Sequence, residues 1–248
     1  MPEKNTLLLS LTAYLLFAAL PLTAAFTAAA ADEPSPESHA LALQNKYNSL
    51  ISLTFGFDQL TRTGTRERSG LGDAVFYRFQ PASEVTPESS PSATQSVMRW
   101  NYTEPDPQII VSDGQTLSIY TEKDQQLIRT PAQELESDIT YAFFSGARNL
   151  LDDFAAASGD PAYLFSSETK LQTILLVPRQ PHNQIRDVQV WFDSDGLIHH
   201  LMITDHFDSV TELHFDNIKV NGLPAGDRKT LEEIITFSVP PGTEIISR

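Results

Sequence analysis

The residues best equipped for chemistry crowd into one stretch: His199, His200, Asp205, His206 and His214. Imidazoles and carboxylates at this density are the donor set of a zinc site. Their spacing argues against one. His199 and His200 are neighbours in a segment that alternates like a strand, so they project to opposite faces and cannot share an ion without a bulge. We therefore read the histidines as structural and expect no metal and no cofactor. Asp152-Asp153 falls at a predicted helix end and reads as solvated. Gly70-x-Gly72 lacks a third glycine and precedes a strand, so it reads as a turn and not a phosphate loop. No Gly-x-Ser-x-Gly elbow, His-Glu-x-x-His pair or Walker loop occurs in the 248 residues. The chain is not expected to be an enzyme; a secreted metal-dependent hydrolase using the histidine cluster is the catalytic alternative.

What the chain holds in excess is apolar surface, including 14 phenylalanines, 7 tyrosines and 2 tryptophans. The elements that place it centre on residues 97–130. There Met98, Trp100 and Tyr102 share one face by the two-residue period of a strand. Asp113-Gly114 between two β-rich runs is a strong hairpin signal. Before this meander, Ala40, Leu43, Tyr47 and Leu50 recur at helical spacing, from a cap at Ser35 or Ser38 to about Ser52. Residues 53–62 alternate with Phe55 and Phe57 on one face. Residues 64–72 read as a polar connection, and 74–79 as a strand with Phe76 and Arg78 on one side. A guanidinium on so apolar a strand needs acceptors. Residues 81–96 read as an inserted loop.

Beyond the meander, Thr130-Pro131-Ala132-Gln133 predicts a helix start near Pro131, with a restart at Ser137-Asp138. Leu135, Ile139, Ala142 and Phe143 lie roughly on one side, and residues 147–157 read as a further helical piece. Strands are then predicted at 163–166, 171–177, 186–192, 197–204, 210–220 and 233–239, joined by short turns. Such succession implies an antiparallel meander.

Residues 6–22 are apolar and lead into a small-residue tract, which reads as a signal peptide cleaved after Ala31. An uncleaved anchor is the competing reading, since residues 6–31 are just long enough to span a bilayer. Residues 32–38 then form a flexible tail before a domain at 39–248. A formal charge of −15 argues against nucleic acid and anionic membrane surfaces as partners. With no cysteine there is no disulfide, thiolate site or thiol for lipid attachment.

Arg99-Trp100-x-Tyr102-x-x-Pro105, then Ile110-Val111-Ser112-Asp113-Gly114, then an apolar strand ending in Tyr120, resembles the core of the periplasmic lipoprotein carrier (LolA) family. Phe237-Ser238-Val239-Pro240-Pro241-Gly242 is similar to that family's closing strand. The resemblance implies a mostly β, single-domain, incomplete antiparallel β-barrel of about 11 strands with short helices over its mouth. It implies a monomeric periplasmic carrier of acylated lipoproteins, loaded by an inner-membrane lipoprotein-releasing ABC transporter and unloaded to an outer-membrane receptor. A periplasmic sensor or regulator on the same scaffold is the alternative. Periodicity alone reads the apolar surface as an ordinary core. The resemblance makes it a lipid cavity, with Phe55, Phe57, Phe76, Met98, Trp100, Ile110, Ile139 and Phe143 as its lining. It also implies a lid-gating arginine, matched by Arg78, with Arg99 as the competitor.

Overall fold

The computed structural model describes residues 34–81, 94–145, 149–160, 171–182 and 184–248. The signal segment, most of the loop insertion and the strand expected at 163–166 lie outside them. Among the described residues no helix is long and apolar enough to cross a membrane.

Helix α1 (Pro36–Ser49) begins where Ser35 accepts a hydrogen bond from the Ser38 amide and proline occupies the first turn, a position whose missing N–H costs nothing. Residues 36–38, assigned above to the tail, thus form its first turn, and Gln95 and Ser96, assigned to the loop insertion, belong to a strand. After α1 come β1 (Ser52–Thr63), β2 (Arg66–Phe79), β3 (Gln95–Glu104), β4 (Gln108–Ser112), β5 (Thr116–Thr121) and β6 (Gln126–Pro131). A 3-10 segment (Ala132–Ser137), α2 (Ile139–Ser145) and α3 (Leu150–Asp153) lead to β7 (Phe154–Ser158), β8 (Gln172–Pro178), β9 (Asp187–Phe192), β10 (Ile198–Thr204) and β11 (Val210–Val220). Helix α4 (Arg228–Ile235) and β12 (Glu244–Ser247) close the chain.

All the strands belong to one open, curved sheet in the order β12-β6-β5-β4-β3-β2-β1-β11-β10-β9-β8-β7. Among the described residues there are 12 strands, in keeping with the expected number of about 11, and every pairing is antiparallel except β12 with β6. The extra length of β2 corrects the expected polar connection. Residues 66–72 pair with β1 as a long ribbon, and only Gly64-Thr65 turns.

Three other expectations are corrected. Residues 154–157, though alanine-rich, form an edge strand on β8 and not a helix, because pairing overrides helix propensity. The 3-10 segment replaces the helix expected at Pro131. The closing strand is Glu244–Ser247; residues 228–235 are instead helical, because Asp227 caps Thr230 and Leu231 and Ile234 share a face.

Each face of the sheet carries an apolar cluster under helices. The concave one carries Phe55, Phe57, Phe76, Met98, Trp100, Leu213 and Phe215 and is covered by α1, α2 and α3. The convex one carries Tyr77, Phe79 and Val97 under Leu231 and Ile234 of α4. Helix α1 is fixed by more than apolar contact. The Tyr47 hydroxyl accepts from the Ile198 amide at 2.9 Å, and Gln44 Oε1 accepts from the Leu150 amide at 2.6 Å.

The pairing of β2 with β3 shifts between Leu71 and Gly72. A Cβ at Gly72 would fall on the Asn101 carbonyl and the Phe57 ring. Gly72→Ala should therefore lower stability by about 3 kcal/mol, the upper end of overpacking costs, measured by urea denaturation. A midpoint unchanged from wild type would refute this close approach.

Candidate functional site

The concave face is not filled everywhere. A cavity of about 300 Å³ lies between the sheet and the segment around the start of α2. Its floor is Phe76, Met98, Trp100 and Ile110 from β2, β3 and β4. Ile203, Thr211 and Leu213 from β10 and β11 form one wall, and Leu135, Thr140 and Tyr141 form the roof. Polar groups gather at the mouth, where Tyr102 donates to Gln59 Oε1 at 2.8 Å and Asp138 stands beside them. Asp138 also caps α2, accepting from the Tyr141 amide at 2.8 Å. This arrangement suits a guest with an apolar body and a polar end.

Four of the eight residues named as a lining, Phe76, Met98, Trp100 and Ile110, border this space. Phe55, Phe57, Ile139 and Phe143 do not, because the rest of the concave face is packed with the protein's own rings. Phe144 of α2 stands at the centre of that packing. Its ring centroid lies 4.9 Å from that of Phe55, 5.1 Å from Phe215, and 5.5 Å from both Phe76 and Tyr47. Phe55 and Phe57 each pack against Trp100. Ile203, Thr211 and Leu213 were missed: they come from strands distant in sequence, and only the β1–β11 register brings them opposite Trp100.

The two candidate arginines serve different faces. Arg78 lies on the concave side, where its guanidinium donates to the carbonyls of Tyr47 (3.0 Å) and Asn48 in the last turn of α1 and of Ser145 (2.6 Å) at the end of α2. Those carbonyls are among the ones a helix leaves unsatisfied, at the negative end of its dipole. One cation therefore joins the C-termini of two covering helices to the sheet. Burial pulls its pKa below the ordinary arginine value. Arg99 lies on the convex side and donates to Asn101 Oδ1 (2.9 Å) and to the Thr236 carbonyl at the end of α4 (3.1 Å).

The histidines separate as their strand positions require. His199 pairs with Asp193 at 2.8 Å, and His206 Nε2 meets the His182 carbonyl at 2.7 Å. His200 is buried, and that burial, together with neighbouring His214, holds its pKa down to about 3.

Residues 96–228 match the family model described as outer membrane lipoprotein carrier protein LolA, more than half of the chain. The chain belongs to the LolA family. It is 26% identical over 151 residues to an outer-membrane lipoprotein carrier protein of Nitrosomonas europaea, covering 60% of this chain and 66% of that one. A protein of the same description from Chromohalobacter salexigens is 25% identical over 234 residues, covering 92% of this chain and 91% of its own. A solved LolA superfamily protein from Nitrosomonas europaea superposes over 82% of this chain and 98% of its own at 14% identity, with a TM-score of 0.39. The matched span holds β4 to β11 and all of β3 but Gln95, whereas Arg78 and the cavity residues Gln59 and Phe76 precede it.

Burial, reinforced by the charge of Asp138, pushes the Tyr102 phenol up to about 12. A phenol ordinarily ionises near 10. The folded state therefore holds this proton more tightly, and the stabilisation is complete below pH 10 and lost as pH rises from 10 through 12. Tyr102→Phe should remove about 1–2 kcal/mol of the alkaline loss of stability, seen by comparing urea midpoints at pH 8 and above pH 10. An unaltered pH dependence in the variant would refute the assignment.

Proposed function

We propose that this chain is a soluble periplasmic carrier that takes the acyl chains of lipoproteins into the concave side of its sheet. The observation that carries the reading is the vacant, apolar-walled cavity beneath helices that one arginine holds down. The family membership supports lipoproteins as the cargo. An inner-membrane lipoprotein-releasing ABC transporter as donor and an outer-membrane receptor as acceptor complete the proposal.

The physical requirement is extraction from a bilayer. Each buried methylene contributes roughly 0.8 kcal/mol, so a cavity that encloses a chain offsets its withdrawal from lipid. At about 300 Å³ the space is at the small end of ligand pockets, and Phe143 and Phe144 belong to the core of the same face, Phe144 packing on the floor residue Phe76. If α2 moves outward, those two rings leave with it and room for longer chains opens against Phe55, Phe76 and Phe215. On this reading the resident rings occupy the place a guest would take, and the bonds from Arg78 to α1 and α2 set how readily they leave. Met98 in the floor, an unbranched and adaptable side chain, tolerates chains in varied positions.

Native mass spectrometry with a diacylated lipopeptide tests the carrier reading, which requires a one-to-one complex; no bound lipopeptide would defeat it. Arg78→Leu tests the gate separately. Hydrogen bonds to a charged group contribute about 1.5–3 kcal/mol each, so amide exchange at residues 139–145 should quicken at least tenfold. Lipoprotein transfer should fall by a similar factor while the circular dichroism spectrum stays that of wild type. Transfer at the wild-type rate would rule out the gate.

A further inference from the structure

The convex face of β10 and β11 carries a group of side chains with no part in the cavity. His200 and His214 are directly opposite in register, and their imidazoles stack with centroids 4.0 Å apart and planes inclined by 5°. Trp191 of β9 stacks on the other face of His200 at 4.4 Å. Glu212, two positions before His214, projects to the same side of the sheet. One donor atom from each of His200, Glu212 and His214 lies within 4.8 Å of the others.

We propose that His200, Glu212 and His214 form a binding site for a divalent transition-metal ion, zinc foremost. Two imidazoles and a carboxylate with a fourth position open are a familiar zinc donor set. The imidazoles disfavour magnesium and calcium, which prefer all-oxygen shells. Tetrahedral ligands at about 2.1 Å stand about 3.4 Å apart, so the three donors need to close by no more than a side-chain adjustment.

The burial is graded as an accessible site requires. His200 is only 2% exposed and is held by Trp191, the Glu212 side chain is 14% exposed, and His214 is open to solvent. An ion must lie in the plane of each imidazole that ligates it, so the parallel stack opens on binding, and exposed His214 is the ring that turns. Arg62 pairs with Glu212 and with Glu67, the latter at 3.0 Å. When the ion takes Glu212, Arg62 keeps Glu67. On β1, Asp58 stands opposite His214 in register, adding negative charge to a chain already at −15. The bound ion would tie β10 to β11 directly behind Ile203 and Leu213, which line the cavity on the other face.

The test is titration of the untagged, chelator-stripped full chain with Co2+ and then Zn2+. One equivalent of Co2+ should give a tetrahedral visible absorption that Zn2+ abolishes, and Zn2+ should raise the melting temperature. His214→Ala, at an exposed position that leaves the fold intact, should weaken binding at least a hundredfold, and Glu212→Gln about tenfold. His206→Ala should bind as wild type does. Absence of saturable binding, binding retained in His214→Ala, or loss in His206→Ala would overturn the site.

Discussion

A guanidinium can satisfy several carbonyls at once, and the arrangement over the concave face depends on that. Arg78 reaches the ends of α1 and α2 from a position on β2, so the sheet grips both helices at their negative termini. Neither helix covers the face by apolar contact alone. Helix α2 has only 7 residues and would be marginal in isolation. Its position is set by Asp138 at one end, Arg78 at the other, and the Phe143 and Phe144 rings between. The cover is thus held by a small number of polar contacts and two rings.

The two faces of the sheet have different tasks. On the convex side α4 seals the part over β2 and β3, its Leu231 and Ile234 packing on Tyr77, Phe79 and Val97. The Tyr77 hydroxyl donates to the Pro224 carbonyl at 2.7 Å and accepts from the Asp227 amide at 3.1 Å, anchoring the approach to that helix. This cover is conventional core. On the concave side the packing is complete around Phe144 and stops short at Trp100, where the cavity begins. The strands β2 and β3 therefore carry filled core on their convex side and border a cavity on their concave side.

Much of this was legible in the sequence. Strand periodicity placed β1, β3 and β8 to β11, and Asp113-Gly114 placed the β4–β5 turn. The face shared by Met98 and Trp100 is the cavity floor. Local pattern failed where long-range pairing decides. Ala155 to Ala157 form a strand only because β8 lies beside them. Phe55 and Phe143 are core and not lining because Phe144, from another element, fills the space between. Adjacent His199 and His200 drew attention as a pair, whereas His200 meets His214 across two strands. Residues 233–239 alternate enough to resemble a strand, and the Asp227 cap with the Leu231–Ile234 spacing is the signal that corrects it.

Among the described residues the sheet ends at β12 on one side and β7 on the other. A sealed barrel has its bore fixed by strand number and stagger. An unsealed one does not: its two margins can draw apart or approach while every rung of the ladder between them stays intact. Widening then costs bending of a twisted ribbon and breaks no backbone bond, a freedom that would let the proposed carrier adjust its girth to cargoes of unequal size.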